Sequence, residues 1–415
     1  MRPLLLLLAS AVSAVLPAAL SAADSIPQLS EQPGLLEGDQ LLGDFGGLRS
    51  GFAEHGLTLY AWAMGDGMYL SRDPAAGSNS SDGKRAFGNY LVEVGAELDT
   101  NTFLGILPGG TVHVAWQRFD GEAGSAAVGS LQPASWLDAG ERTQFARLWY
   151  EQLLFDVLAI KVGKEDVSYD FAVNAFGQRF LNSSAKFEPT IVGMPSYPDS
   201  ATGARVALTI DTWVVRVGAY DGRAASTGFA TGKSGLRLPD GDVFSIAEVG
   251  YELGQRKGPH HGGIVIGGWQ HSGTFTRFDG SAQDGLRGFY LRGDGQLWSD
   301  PASFNRRSLS AFVQLGTTDD QVAAVARHVG LGMELTGPWR ERERDVLIAM
   351  MSWGGSSRAT GTTYDSNETV FEVGYVFRAS GWLQLTPGLQ WFQNPNGLST
   401  NPDVYVGSLR GMLTF

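Results

Sequence analysis

The chain has 415 residues, a formal net charge of -12 from 31 Lys+Arg against 43 Asp+Glu, and no cysteine. The acidic balance argues against a nucleic-acid partner, whose phosphates demand a basic face, and the missing thiols exclude disulfides and thiolate metal sites. The 56 Gly, 22 Phe, 12 Tyr and 11 Trp suit closely approaching strands with aromatic side chains to spare for interfaces.

Met1 and Arg2 lead into an apolar run from Leu4 to Leu20 and then the small residues Ser21, Ala22 and Ala23. That pattern is a secretory signal peptide over 1–23, with cleavage after Ala23 or Ala22. Past it no segment approaches the ~18 uninterrupted apolar residues of a membrane helix, and no linker divides the remainder, so one large all-β unit is expected. Residues 24–56 form an N-terminal periplasmic segment with a short helix. Asp44 is placed to cap it, Phe45, Leu48 and Phe52 share one side, and Gly56 ends it.

From residue 57 onward the chain alternates. Tyr90, Val92, Val94, Ala96 and Leu98 are interleaved with Leu91, Glu93, Gly95, Glu97 and Asp99, and Phe371, Val373, Tyr375 and Phe377 with Glu372 and Arg378. One face is apolar and the other carries charge, the reverse of a soluble sandwich with an apolar interior. The pattern predicts about sixteen strands starting near residues 57, 88, 110, 145, 157, 203, 213, 242, 262, 286, 307, 327, 343, 366, 381 and 404. Only Gly262 to His271 shows no clean phase. The fold class is therefore an all-β transmembrane antiparallel barrel over 57–415, in the bacterial outer membrane and in contact with its lipid.

Long connections (71–87, 120–144, 165–202, 221–241) alternate with short ones such as Phe155-Asp156, Asp211-Thr212 and Ala379-Ser380-Gly381. A barrel with both termini in the periplasm has this asymmetry. The final strand keeps Tyr405, Gly407, Leu409, Gly411, Leu413 and Phe415 on one face to its last residue, as expected if it closes the barrel against the first strand.

The stretch LLGDFGGLRSGFAEHG resembles the opening of the carbohydrate-selective porins of the OprB family, with Phe45 where a Trp is more usual. Further matches are LWYEQ at 148–152, VGK at 162–164, DFAVNAFGQRFLNSS from Asp170, MPSYPDSATGARV from Met194, AYDG at 219–222 and GWLQLTPGLQWFQNPNG from Gly381. The AKFEP that follows Asn182-Ser183-Ser184 departs from the pattern. The resemblance implies a sixteen-stranded outer-membrane channel for facilitated diffusion of glucose and related sugars. The outward terminal Phe415 separately resembles the assembly signal of outer-membrane barrel proteins, which implies that it is read by the barrel-assembly machinery.

A passive pore needs a weak, multi-site wall of hydrogen-bonding groups and aromatic faces. The charged candidates are Glu93, Arg118, Arg147, Glu151, Lys161, Arg205, Asp211, Arg216 and Glu248, expected inward by strand phase. Tyr60, Trp62 and Trp149 are the aromatic candidates. The connection 165–202 is too long to be structureless. Either it bends inward as a constriction, with Arg179, Asn182 and Lys186 as contacts, or it caps the barrel outside, packed by Phe171, Phe176, Phe180 and Phe187. No GxSxG or HExxH motif appears, His260-His261 falls in an expected turn, and no cofactor or metal is called for. Two competing functions are a general or organic-acid diffusion porin and a secreted all-β enzyme acting on carbohydrate.

Overall fold

The computed structural model describes residues 39–71, 85–122, 124–222, 241–253, 262–303 and 306–415. The expected signal peptide, most of connections 71–87 and 221–241, and His260-His261 lie outside them. Sixteen strands form: β1 Leu57–Leu70, β2 Ala86–Asp99, β3 Gly110–Gly121, β4 Arg142–Leu154, β5 Leu158–Glu165, β6 Ala201–Ile210, β7 Trp213–Asp221 and β8 Val243–Leu253 make the first half. β9 Gly262–Thr276, β10 Ala282–Ser299, β11 Ser308–Thr318, β12 Val325–Thr336, β13 Val346–Ser356, β14 Glu368–Arg378, β15 Leu383–Gln393 and β16 Val404–Thr414 make the second. Each pairs antiparallel with its sequence neighbours, and β1 pairs with β16 from Trp62↔Thr414 to Leu70↔Val406, so the sheet is a closed barrel.

The terminal strand is held from three directions. Phe415 N–H donates to Ala61 O (2.9 Å), Thr414 N–H to Trp382 O (3.0 Å), and Leu41 N–H to Thr414 O (2.8 Å). Arg49, in helix α1 (Leu48–Glu54), reaches back to Phe415 O at 3.0 Å. Asp44 does not occupy the N-cap position itself, which is Gly47. Its carboxylate instead accepts from Ser50 N–H and Oγ–H at 2.7 Å across a short 3₁₀ turn, satisfying the same first-turn donor.

Outward positions are apolar and exposed, among them Val94, Val217, Ile266, Leu331, Val373 and Leu409. Aromatic groups gather at both ends of this band. Phe371, Trp391 and Tyr405 stack at the loop end with centroids 5.2 and 6.0 Å apart. Trp213 meets Tyr251 (4.9 Å) and Trp339 meets Tyr375 (5.3 Å) at the turn end. An apolar belt between two aromatic girdles is a surface made for a bilayer. β9 does alternate, with Val265, Trp269 and His271 buried inward. Gln270 on the outer face and two adjacent glycines had blurred the pattern.

Connections do not alternate strictly in length. Residues 277–281 make a five-residue link at the loop end, whereas 100–109 at the turn end include the helix α2 (Thr100–Leu104). Two loops dominate the interior. Loop 2 (124–141), with helix α3 (Gly124–Val128), and loop 3 (166–200), with helix α4 (Ser183–Lys186), fold against the inner wall. Ala127, Val128, Phe180 and Ala185 pack on Phe312, Ile348, Val370 and Phe392, while Phe171 and Ile191 pack on Tyr220, Phe244 and Tyr290. Phe171 and Phe180 therefore do not pack an external cap. The inner face is correspondingly not polar throughout, because part of the wall must be apolar to receive the loops.

Inward aromatic residues sit directly opposite glycines in the neighbouring strand. Tyr60 faces Gly95, and Phe312 faces Gly332. A Cβ at either glycine would stand 2.3 Å from the ring, so each absent side chain lets the ring lie flat along the wall.

Loop 2 is fastened by Glu368 of β14, whose carboxylate accepts from Ser130 Oγ–H (2.6 Å), Leu131 N–H (2.9 Å), Gln132 N–H (2.9 Å) and, in a separate connection, Asn396 N–H (2.8 Å). Glu368→Ala strands these donors at a cost of about 1–3 kcal/mol each. Limited proteolysis is expected to cut loop 2 roughly tenfold or more faster, with the folded-barrel band in unheated gels retained.

Candidate functional site

Four strands bring a first cluster together. Glu93, 0% exposed, accepts at Oε1 from Tyr60 Oη–H (3.1 Å), Trp62 Nε1–H (3.2 Å) and Arg147 Nη2–H, and at Oε2 from Gln117 Nε2–H (2.6 Å). Trp62, Glu93 and Gln117 lie side by side in register on β1, β2 and β3. A bulge at Ala115/Trp116 against β4 adds a residue there, so Arg147 and Gln144 both turn inward. Arg147 also stacks over Tyr169 of loop 3 at 4.4 Å. Towards the turn end, Tyr60, His113 and Trp149 form a ladder of rings with centroids 5.9 and 4.8 Å apart, and Lys161 Nζ lies 4.6 Å over Trp149.

A second cluster joins β4–β6 to loop 3. Asp170 pairs with Lys161 at 2.7 Å and Arg205 at 3.4 Å, while Glu151 pairs with Arg205 and lies 3.9 Å from Lys161. Burial alone would raise the Asp170 carboxyl, but the two cations hold it well below the usual carboxylate range. Farther round the wall, Glu248 pairs with Arg216 (3.2 Å) and accepts from Tyr290 Oη–H (2.8 Å) and Ala172 N–H (2.7 Å).

The third cluster lies where loops 2 and 3 meet. Arg410 of β16 forms a two-pronged pair with Asp66 of β1 (2.7 and 2.6 Å) and donates to Phe180 O (3.1 Å). Its guanidinium lies 5.0 Å over Trp136, and Lys186 Nζ lies 3.6 Å over the same ring, 5.3 Å from Phe187 and 6.0 Å from Tyr169. Lys186 is half-buried, and among the described residues no carboxylate comes within ion-pair distance of it. Burial, reinforced by the charges of Arg410 and Arg147 against the opposing pull of Asp166, brings its ammonium down to about 8.

Placement of the sequence candidates is thus uneven. Glu93, Arg147, Glu151, Lys161, Arg205, Arg216, Glu248, Tyr60, Trp62 and Trp149 point inward. Arg118 does not. Phe119, 1% exposed, takes the inward position beneath the loops, and Arg118 reaches across the outer rim to Tyr90 Oη (3.4 Å), Thr143 Oγ1 (3.2 Å) and Glu141 (3.1 Å). Asp211 is an exposed turn residue with φ +53°, outside the lumen. Asn182 is wholly buried; its amide bonds Gln132 O and Gln390, its Oδ1 caps Ser184 N–H, and nothing is left for a solute. Arg179 pairs with Glu334 and keeps about a third of its side chain exposed, 31%.

Sequence reasoning missed Asp66, Trp136, Tyr169, Asp170, Glu372 and Arg410. The inward phase of Glu372 and Arg410 was visible in their strands. What they hold was not: Glu372 accepts from Leu181 N–H (2.8 Å) and Asn182 N–H (2.9 Å), about 190 residues away in the chain.

A closed barrel with a lipid-facing exterior, a charged inner wall and two loops drawn inside is a bacterial outer-membrane channel of the porin class. The model of the carbohydrate-selective porin, OprB family, matches residues 88–415, and the chain belongs to that family. Porin B of Pseudomonas aeruginosa is 26% identical over 321 residues, 66% of this chain and 69% of that protein. An uncharacterized protein of Nostoc sp. is 23% identical over 254 residues, 52% of this chain and only 43% of that protein's length. The high-pH structure of Pseudomonas putida OprB superposes with TM-score 0.79 at 18% identity, covering 92% of this chain and 100% of that one. The low-pH structure gives 0.58 at 16% identity, covering 91% and 99%. At these identities the structures speak for the fold. Family and fold indicate a transport channel rather than an enzyme.

Two outcomes follow. Arg147→Met leaves Glu93 buried without its cation, an expected loss of about 3–5 kcal/mol, read as a lower unfolding temperature in detergent; adding Glu93→Gln is expected to recover most of it. Lys186 loses its charge between pH 7 and 9, where an ordinary lysine stays ionised. The anion-to-cation permeability ratio is expected to fall over that range in the parent and to stay flat in Lys186→Gln, as measured by reversal potentials.

Proposed function

We propose that this porin passes monosaccharides such as glucose by passive diffusion, and that loops 2 and 3 form its constriction. The observation that carries the reading is a set of paired inward charges lying among aromatic rings: Glu93 with Arg147, Asp170 with Lys161 and Arg205, Glu248 with Arg216. Paired charges offer hydrogen-bond exchange to hydroxyls with little net field, and the faces of Trp136, Trp149 and Tyr169 can meet the C–H face of a pyranose. Membership of a carbohydrate-selective family supports the same substrate class. Glu151, Lys186, Arg179 and Trp149, which keep part of their surface open, are the contacts we assign to the solute. Phe415, outward and last in the closing strand, is assigned to recognition by the barrel-assembly machinery.

A second reading, passage of small organic acids, draws on Lys186, whose ammonium has no carboxylate partner among the described residues. Liposome swelling with purified, refolded protein separates the two. Glucose entering faster than a size-matched neutral amino acid is expected, with Trp149→Ala reducing the difference several-fold. Fastest entry by a carboxylate would favour the second reading, and entry ranked by size alone would remove both.

A further inference from the structure

One buried hydrogen-bond chain crosses the wall between the two loops. His328, 2% exposed on the inward face of β12, has Nδ1 2.8 Å from Glu188 Oε2 and Nε2 2.8 Å from Ser352 Oγ. Glu188 belongs to loop 3, and its Oε1 accepts from Thr190 Oγ1–H (2.8 Å) and N–H (3.3 Å). Gly316, opposite His328 in β11, opens the space: a Cβ there would stand 2.1 Å from Glu188 Oε1.

The other end of the chain is in loop 2. Both oxygens of Glu368 already accept backbone or hydroxyl hydrogens, so the carboxylate has no hydrogen to give. Gln132 must therefore turn Nε2–H toward it (3.4 Å) and its Oε1 toward Ser352. Ser352 gives its single hydroxyl hydrogen to Gln132 Oε1 and can only accept from His328, which places a hydrogen on Nε2. Between Nδ1 and Glu188 Oε2 one further hydrogen is shared, and the Thr190 hydroxyl and N–H already donate to the same carboxylate. Glu188 is the charged group facing the ring. Ser352 from β13 and Gln314 from β11, whose Oε1 borders the same gap at Gly330, are neutral.

We propose that His328 is a positioning residue of the constriction, an imidazolium donating from both ring nitrogens. It clamps loop 3 through Glu188, and loop 2 through Ser352 and Gln132, to one patch of wall. The proposal rests on the reading of the two loops as the constriction.

Nitrogen-15 NMR of histidine-labelled protein in detergent at pH 7 tests the protonation directly, whatever the solute. The resonance that disappears in Glu188→Gln or His328→Gln is expected to show both ring nitrogens protonated; a neutral tautomer overturns the proposal. Planar-bilayer recording tests the clamp. Each single variant leaves a buried charge unpaired and is expected to raise the frequency of current fluctuations several-fold, while the double variant returns to within about twofold of the parent. Unchanged fluctuations in both singles, or additive increases in the double, overturn it. If His328→Gln does not fold, Glu188→Gln alone carries both readouts. A protonated His328 in a pore without sugar preference would sink the substrate reading and leave the clamp standing.

Discussion

In hydrocarbon a strand cannot leave its backbone N–H and C=O groups bare, and no water is there to satisfy them. Everything else in this molecule follows from how that demand is met, by pairing β1 with β16. Once the sheet closes, successive side chains must fall alternately into lipid and lumen, and no strand can slip by one residue without exchanging its two faces. The last strand consequently cannot end in loose coil. Its final backbone groups bond Ala61 and Trp382, and the N-terminal segment crosses beneath to bond Thr414 and Phe415.

Closure at sixteen strands creates a second demand, since a barrel of this girth leaves more interior than wall side chains can fill. Loops 2 and 3 occupy much of it, and they bring their own backbone polar groups into a poorly hydrated space. The wall answers with carboxylates: Glu368 and Glu372 on β14 and Glu248 on β8 accept backbone N–H groups of the loops, and Asp66 on β1 accepts the Ser135 hydroxyl. A charge-assisted bond from a backbone N–H is about twice as strong as a neutral one. These acids are thus fasteners for loops before they are anything to a solute, and the buried arginines balance the charge so introduced.

The features set by alternation were legible from the residues. Strand starts fall within four residues of their expected positions, the largest difference being β10 at Ala282 rather than near 286. Phase failed where another constraint overrode it. Arg118 is outward because Phe119 is needed beneath the loops, and Asp211 was counted into a strand that had already turned. Apolar inward residues such as Phe312, Ile348, Val370 and Phe392 were invisible as a class, because lipid and a folded loop select the same side chains. The partners of the site residues were beyond reach for a different reason: Glu188 and His328 are 140 positions apart, and only the closed wall makes them neighbours.

The pairing of inner charges also bears on what a channel of this kind can prefer. A wall of one sign concentrates counter-ions and gives an uncharged solute no advantage, whereas alternating paired charges cancel at a distance and act only at contact. Hydroxyls can then exchange one short hydrogen bond for another along the passage without crossing a strong field. Lys186 departs from this pattern, a cation held against Trp136 by an aromatic face rather than an acid. Its charge is weakly held, so a single proton can tilt the balance between a pore indifferent to charge and one that favours anions. Under the proposed reading, the arrangement of ion pairs makes hydroxyl-rich neutral solutes the default cargo, and Lys186, which has no acid partner among the described residues, sets how far acids compete.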